Sequence, residues 1–349
     1  MKQKTSTRAV VICLLLAASF AVIAATGLYA QSQESPGRNE TNYRISGPYT
    51  HKNLTIFLVH GKELMPGKDF LTLQEALAQK KVIVYETKDV NELAIRNLSS
   101  QDVYVQAGDM VRGGEQDRMI SVDFIVPPKS GRMPIAAFCV ESGRWSKRGN
   151  EAPTSFSSSE NYAATKDLKL AAKRDNSQQA VWENVKIAQE KLSQNVSETV
   201  QVAVSASSLE LSLGNSKVKQ TTAAYIKALS GIVQNKSDVI GYVFAINGHV
   251  NSADVYASRA LFVKLWPKLL KASAVEAVAE LQAEAKPQPV DDHAVKTFLA
   301  ESEQAKAAAK EVTQRVRLVT REDEKNIFFE TQDRQEKDGW VHRNYIRKQ

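Results

Sequence analysis

The stretch that decides the fold is residues 103–145, VYVQAGDMVRGGEQDRMISVDFIVPPKSGRMPIAAFCVESGRW. Arg118–Val126 and Met133–Glu141 both read as strands, and Pro127-Pro128 with Ser130-Gly131 between them is turn chemistry. A symmetric hairpin sets Val126 against Met133, Phe124 against Ile135, Val122 against Ala137 and Ile120 against Cys139. Four apolar pairs then share one side, as a half-buried antiparallel sheet requires. The next pair outward is Arg118 with Glu141, an expected opposite-charge pair on the face that carries Cys139.

Working outward, the segment before this hairpin is β-rich. Strands are expected at Tyr43–Ile45, Leu54–His60, Val82–Thr87, from Leu93 and at Val103–Gln106, with a short helix over Phe70–Gln79 capped by Thr72. Residues 146–165 are rich in Ser and charge and read as a mobile loop. Residues 166–194 return to helix-compatible composition, and Thr221–Gln234 has amphipathic helical spacing. Val239–Ile246 and His249–Tyr256 flank Asn247-Gly248, the pair that favours a type I′ hairpin turn. Arg259–Leu281 reads as helix, with Pro267 marking either a kink or the first residue of a second helix. A proline-containing loop is expected at 284–292, a solvated Ala/Lys/Glu-rich helix over His293–Thr313, and a closing strand meander at Arg315–Thr320, Asn326–Thr331 and Trp340–Ile346 whose last turn is Asp338-Gly339. Strands mixed with helices, without regular βαβ alternation, give an α+β class for a single domain over 43–346.

At the N-terminus, Lys2, Lys4 and Arg8 precede an apolar run from Ala9 to Ala25. This is the pattern of a secretory signal peptide over residues 1–30, with cleavage expected after Ala30 and residues 31–42 as a disordered leader. The run is short for a membrane anchor, so the mature chain is expected to be periplasmic or secreted, with no stable membrane anchor. Losing three cations (Lys2, Lys4, Arg8) and no acid takes the formal net charge from +7 to +4. That excess is too diffuse for a nucleic-acid-binding face. Cys139 is then the single cysteine of the mature chain, which excludes an internal disulfide and paired-thiolate zinc sites. The five histidines show no metal-ligand spacing. No metal or cofactor is expected.

Candidate chemistry sits in the opening stretch. Gly113 and Gly114 allow positive φ and close backbone approach. The amides around them suit an anion-binding nest, with Arg112 and Arg118 adding charge. The competing reading is a tight turn whose arginines pair with Asp109, Glu115 and Asp117. Gln116 belongs to the same turn. Cys139 as a reactive thiol needs a nearby cation, which Arg118 or Arg144 would supply, but Glu141 opposes it, and a strand cysteine is commonly a small buried apolar group. Glu141, Arg144 and Trp145 form a strand end where Arg beside Trp offers cation–π stacking for a ligand ring. Its plain alternative is a Trp anchored in the core.

The turn Gly113-Gly114-x-Gln116-x-Arg118 and the strand end Cys139-Val140-Glu141-x-Gly143-Arg144-Trp145 resemble the two signatures of the family named the ARG and rhodanese-phosphatase-superfamily-associated protein domain. GYVFAINGHVNSADVYAS, LFVKLWPKLL and the late WVH add to the likeness. The resemblance implies no catalytic residue. The family's associations suggest an anionic, ADP-ribose- or nucleotide-like small molecule as partner. The expectation is therefore an exported ligand- or partner-binding domain with its site at Gly113, Gly114, Gln116, Arg118, Glu141, Arg144 and Trp145. The alternatives are a hydrolase acting on a nucleotide- or ADP-ribose-like substrate, and a structural module in which these motifs hold the fold. Enzyme activity is the less expected outcome, and nothing in the sequence sets the oligomeric state.

Overall fold

The computed structural model describes residues 43–163, 165–282, 289–336 and 339–348. The expected signal peptide, the leader, most of the loop at 284–292 and Asp338 lie outside the described residues. In chain order the first strands are β1 (Arg44–His51), β2 (Leu54–His60) and β3 (Leu71–Thr72), then helix α1 (Leu73–Ala78). There follow β4 (Val82–Glu86), β5 (Glu92–Asn97), β6 (Val103–Val105), β7 (Asp109–Gly113), β8 (Arg118–Ile120), β9 (Phe124–Val126), β10 (Met133–Cys139) and β11 (Phe156–Tyr162). The helical middle is α2 (Lys166–Lys173), α3 (Gln178–Val196), α4 (Leu209–Leu213) and α5 (Ser216–Leu229), and after it come β12 (Val239–Ile246), β13 (His249–Tyr256) and α6 (Arg259–Ala279). The chain closes with α7 (Asp292–Ser302), β14 (Ala307–Glu311), β15 (Val316–Glu322), β16 (Asn326–Asp333) and β17 (Trp340–Arg347). The α+β expectation holds, with antiparallel sheets dominating.

Three sheets share the work. An antiparallel sheet in the order β1-β2-β12-β13-β17-β16-β15-β14 joins the first strands to the last. At its centre β12, VIGYVFAI, is buried at every position. A strand covered on both faces has no polar side to offer, so its sequence is a continuous apolar run rather than an alternation. The β12–β13 turn is the Asn247-Gly248 pair, with φ of 52° and 82°. Both signs suit a type I′ turn, which matches the twist of the flanking strands. A second sheet runs β11-β7-β8-β10-β5-β4, and a small third one β3-β6-β9.

Helix α6 packs against β12 and β13 and also against β11, α3 and α5. It is apolar around most of its circumference, as a helix enclosed by neighbours must be. Pro267 lies inside it and does not end it. The carbonyl that loses its partner is that of Val263, whose side of the helix faces solvent at 41% exposure, so water can serve it. Thr72 caps α1 as expected, and Glu75 completes a capping box.

Three expectations are corrected. The opening hairpin splits: β9 pairs with β6, residues 133–136 of β10 pair with β5, and only residues 137–139 of β10 meet β8. There the register is Ala137 opposite Ile120 and Cys139 opposite Arg118, two residues from the symmetric one. Arg118 therefore does not face Glu141. Alternation fixes which face a residue takes, and a shift of two preserves it. It does not choose among several apolar strands competing for one edge. The Ser-rich stretch 146–165 contains strand β11, which pairs with β7 and buries Phe156 and Tyr162. Residues 293–313 are not one helix: α7 stops at Ser302, and Ala307–Glu311 pair with β15 despite a helix-favouring composition. Of the two readings left open at Pro267, a second helix is not formed: Arg259–Ala279 is a single helix.

Candidate functional site

The glycine turn joins β7 to β8. Gly113 and Gly114 have φ of +127° and +57°. A Cβ on Gly114 would lie 2.5 Å from Phe156 Cζ and 2.6 Å from Glu86 Oε2, so both conformation and space demand glycine. The amides that would line an anion nest are already occupied. Gly113 N donates to Asp117 Oδ1 (3.2 Å), Gly114 N to Ala152 O (3.1 Å) and Glu115 N to Glu86 Oε2 (3.2 Å). The turn binds the protein's own carboxylates.

Arg118 is buried and reaches back to β4, where Nη2 lies 3.2 Å from Glu86 Oε1. Its Nη1 donates to Val90 O (2.8 Å) and touches Cys139 Sγ. Burial pushes the Cys139 thiol up to about 11, with Arg118 opposing and Glu86 and Glu141 adding to the rise. The Cys139 backbone is gripped on both sides by the Gln178 amide, each bond 2.8 Å. This thiol is a core group rather than a nucleophile.

Glu141 instead meets Arg144, at 2.7 Å from Nη2 to Oε2, and accepts from Asp117 N (3.1 Å) and from the Ser205 hydroxyl. Gln116 Nε2 holds the Glu141 carbonyl (2.9 Å). Arg148, from the Ser-rich loop, donates to both oxygens of Asp117 (2.9 and 3.1 Å) and to Glu151 (2.9 Å). Ser208 adds a bond to Asp117 (3.1 Å), and Leu209 N closes onto Val140 O (3.1 Å). The Asp117 carboxyl is raised by burial and by Glu141, with Arg148 opposing. Burial raises Glu141 too, but the bonds from Arg144, Ser205 and the Asp117 amide bring it net below the ordinary range. Trp145 stands outside all this, 55% exposed, and is neither a core anchor nor part of the cluster. The structure thus places six of the seven expected site residues in one buried clamp and leaves the seventh on the surface.

A second buried cluster lies where the eight-stranded sheet meets α2 and the loop before β9. His342 Nδ1 and Nε2 contact Asp123 Oδ2 (2.8 Å) and Asp254 Oδ1 (2.9 Å). Tyr256 stacks on the ring, centroids 4.5 Å apart. Thr331 donates to Asp123 (2.7 Å), and Asn344 to Asp254 (3.0 Å). Burial works against the imidazolium, but the two carboxylates outweigh it and raise the His342 pKa. Burial also disfavours both carboxylates, yet both are held low: Asp123 by Lys173 and His342, Asp254 first by His342. The spacing of the five histidines does not point to His342. The traces were there in NSADVYAS and WVH, which carry Asp254, Tyr256 and His342. Among the described residues, no group of three or more His, Cys, Asp or Glu is arranged to hold a metal ion.

Open space lies beside β7. A pocket of about 500 Å³ is lined by Arg112, Ser158, Asn161, Glu210, Lys219 and Lys271 among others. A shallower groove of about 600 Å³ lies on the other side of Arg112, against Arg148, Glu151 and Ser157. Arg112 points out of the sheet, its Nε 3.5 Å from Glu151. Lys219 is exposed on α5, and Lys271 reaches from α6 to within 3.3 Å of the Glu160 carbonyl. Glu210, the buried acid of the pocket, accepts from Ser159 Oγ (2.6 Å) and Asn161 Nδ2 (3.0 Å). Apart from Arg112, none of these pocket residues was singled out from the sequence, because they come from four separate elements.

The family profile of the ARG and Rhodanese-Phosphatase-superfamily-associated Protein domain matches residues 42–346. No curated protein and no solved structure matches the chain.

Proposed function

We propose that this chain, which belongs to the ARG and Rhodanese-Phosphatase-superfamily-associated Protein domain family, is a binding domain for a small anionic molecule received in the pocket beside Arg112. One observation carries the reading. Three cationic side chains, Arg112 from β7, Lys219 from α5 and Lys271 from α6, converge on one open pocket of about 500 Å³. The buried acid of that pocket, Glu210, is already engaged by Ser159 and Asn161. Arg112 and Lys271 have only long contacts with acids, to Glu151 at 3.5 Å and to the exposed Glu160 at 3.9 Å. Cations so loosely paired beside open space suit phosphate or carboxylate, Arg by its planar fork and Lys as a point charge. The glycine turn and the Cys139–Arg144 strand end serve the site indirectly, by fixing the strand from which Arg112 projects.

Calorimetric titration with inorganic phosphate, pyrophosphate and adenine nucleotides tests the reading. Binding is expected in wild type, weakened about tenfold by Lys219→Glu and weakened further by raising salt. Unchanged affinity in Lys219→Glu and in Arg112→Ala would place the site elsewhere. The burial of Arg118 and Glu141 favours a second reading, a structural module without a ligand, which a complete absence of binding would leave standing. The pattern of residues 1–30 supports an exported protein that meets its ligand in the periplasm or the medium. N-terminal sequencing of mature protein should then begin at Gln31, and an intact Met1 would overturn export with cleavage.

A further inference from the structure

We infer that the occupant of this pocket is a phosphorylated polyol, such as a sugar phosphate, with one hydroxyl inserted into a small inner pocket behind the cationic mouth; the inference rests on the anion-binding reading above. The inner pocket has room for about 10 Å³ and is lined by Gln74, Asp109, Ser158, Ser159, Asn161 and Lys268, with Leu73, Leu77 and Met110 closing its apolar side. That is about the space of a single water molecule or hydroxyl. Ser158 and Asn161 line both pockets, so the inner one borders the outer across these two side chains.

Asn161 supplies the independent observation. Its side chain is only 7% exposed. Nδ2 donates to the Glu210 carboxylate (3.0 Å), and a carboxylate only accepts, which fixes which end of the amide is which. The opposite end, Oδ1, is buried with no hydrogen-bond partner. A buried carbonyl oxygen without a donor carries a desolvation penalty, and a ligand that brings a donor removes it. The remaining walls narrow the choice of donor. Lys268 pairs with Asp109, whose second oxygen takes the Gln106 amide (2.9 Å). A hydroxyl both donates and accepts, so it satisfies Asn161 Oδ1 while receiving a hydrogen bond from Lys268. An ammonium group would be repelled by Lys268. A methyl group would leave Asn161 unsatisfied. A phosphate is too large for the space. Charge is thus read at the mouth and a hydroxyl behind it.

The test compares two ligand series by calorimetry: glycerol 3-phosphate, ribose 5-phosphate and glucose 6-phosphate against alkyl phosphates of matched length. Wild type should bind the best polyol phosphate at least about tenfold more tightly than its alkyl partner. Asn161→Leu should bring that ratio close to one, while the Glu210 carboxylate it releases lowers affinity for both series alike. Should Asn161→Leu fail to fold, a crystal structure of the wild-type complex decides, with a ligand hydroxyl expected within hydrogen-bond distance of Asn161 Oδ1. Equal affinity of both series in wild type, or a bound polyol whose hydroxyls all stay outside the inner pocket, overturns the hydroxyl inference and leaves the anion reading intact. Failure of both series, and of inorganic phosphate, would instead remove the anion reading itself.

Discussion

Arg112 and Arg118 leave the same β7–β8 hairpin six residues apart and meet opposite fates. Arg118 is buried against Glu86, Val90 and Cys139. Arg112 stands half-exposed between two open spaces with one long contact to Glu151. The residues of the Arg118 clamp are the unusual ones: a double glycine, a lone cysteine and the Glu141–Arg144 pair of the strand end. Those around Arg112 are ordinary serines, lysines and an asparagine. Unusual residues are needed where the chain must turn tightly and where buried charge must be matched atom for atom. Groups that receive a ligand need only the right direction and open space. Here the motif-rich region serves the fold, and the plain region beside it is open to chemistry.

The sharpest way to break this comparison is to remove an acid from the clamp. Glu141→Ala leaves Arg144 with only a long contact to Asp117 at 3.6 Å and frees the Asp117 amide, and should cost about 3 kcal/mol in urea unfolding. A loss below about 1 kcal/mol would mean that the clamp is not a structural unit. Next is the second buried cluster, through pH. His342 has a raised folded pKa, so its contribution is complete below the unfolded value of about 6.5 and is lost as pH rises through the folded one. Asp123 and Asp254 are depressed, so theirs is complete above about 4 and is lost as pH falls. The melting temperature should therefore decline on both sides of about pH 4–6.5, and His342→Gln should flatten the alkaline decline; an unaltered alkaline decline would clear His342.

Gly114→Ala should cost about 1–3 kcal/mol from its positive φ, with the Phe156 contact adding to it. Normal stability of that variant would show that the turn relaxes. By contrast Arg112→Ala, Lys219→Ala and Trp145→Ala should each stay within about 0.5 kcal/mol of wild type. A larger loss at Arg112 would make it part of the clamp. Smallest of all, Cys139 should resist alkylation at pH 8 in the folded protein, its thiol raised to about 11, and react once the chain unfolds. Stoichiometric labelling of native protein would contradict its burial.

Much of the local structure was legible because its causes are local. Thr72 and Glu75 sit three residues apart and cap α1. Asn247-Gly248 sets its hairpin through two positive φ angles. The site was less legible because its partners are distant. Arg118 finds Glu86 on β4, far back along the chain, and Arg148 comes from a stretch whose serines hid a strand. The two-residue shift between Arg118 and Glu141 followed from β9 leaving for β6 and β10 dividing between β5 and β8, a competition among apolar edges that no single segment records. The pocket was hidden for the same reason, since Arg112, Asn161, Lys219 and Lys271 share no spacing.

By itself the sequence determined the α+β class, the family, the turns and the need for glycine at 113 and 114, because propensity, capping and backbone sterics act over a few residues. Only the tertiary structure decided which charges are spent and which remain available. Pairing energy depends on distance and burial, and both are set by which strands and helices come together. Arg118, Glu141 and Arg144 are therefore parts of a buried clamp, while Arg112 is left facing open space.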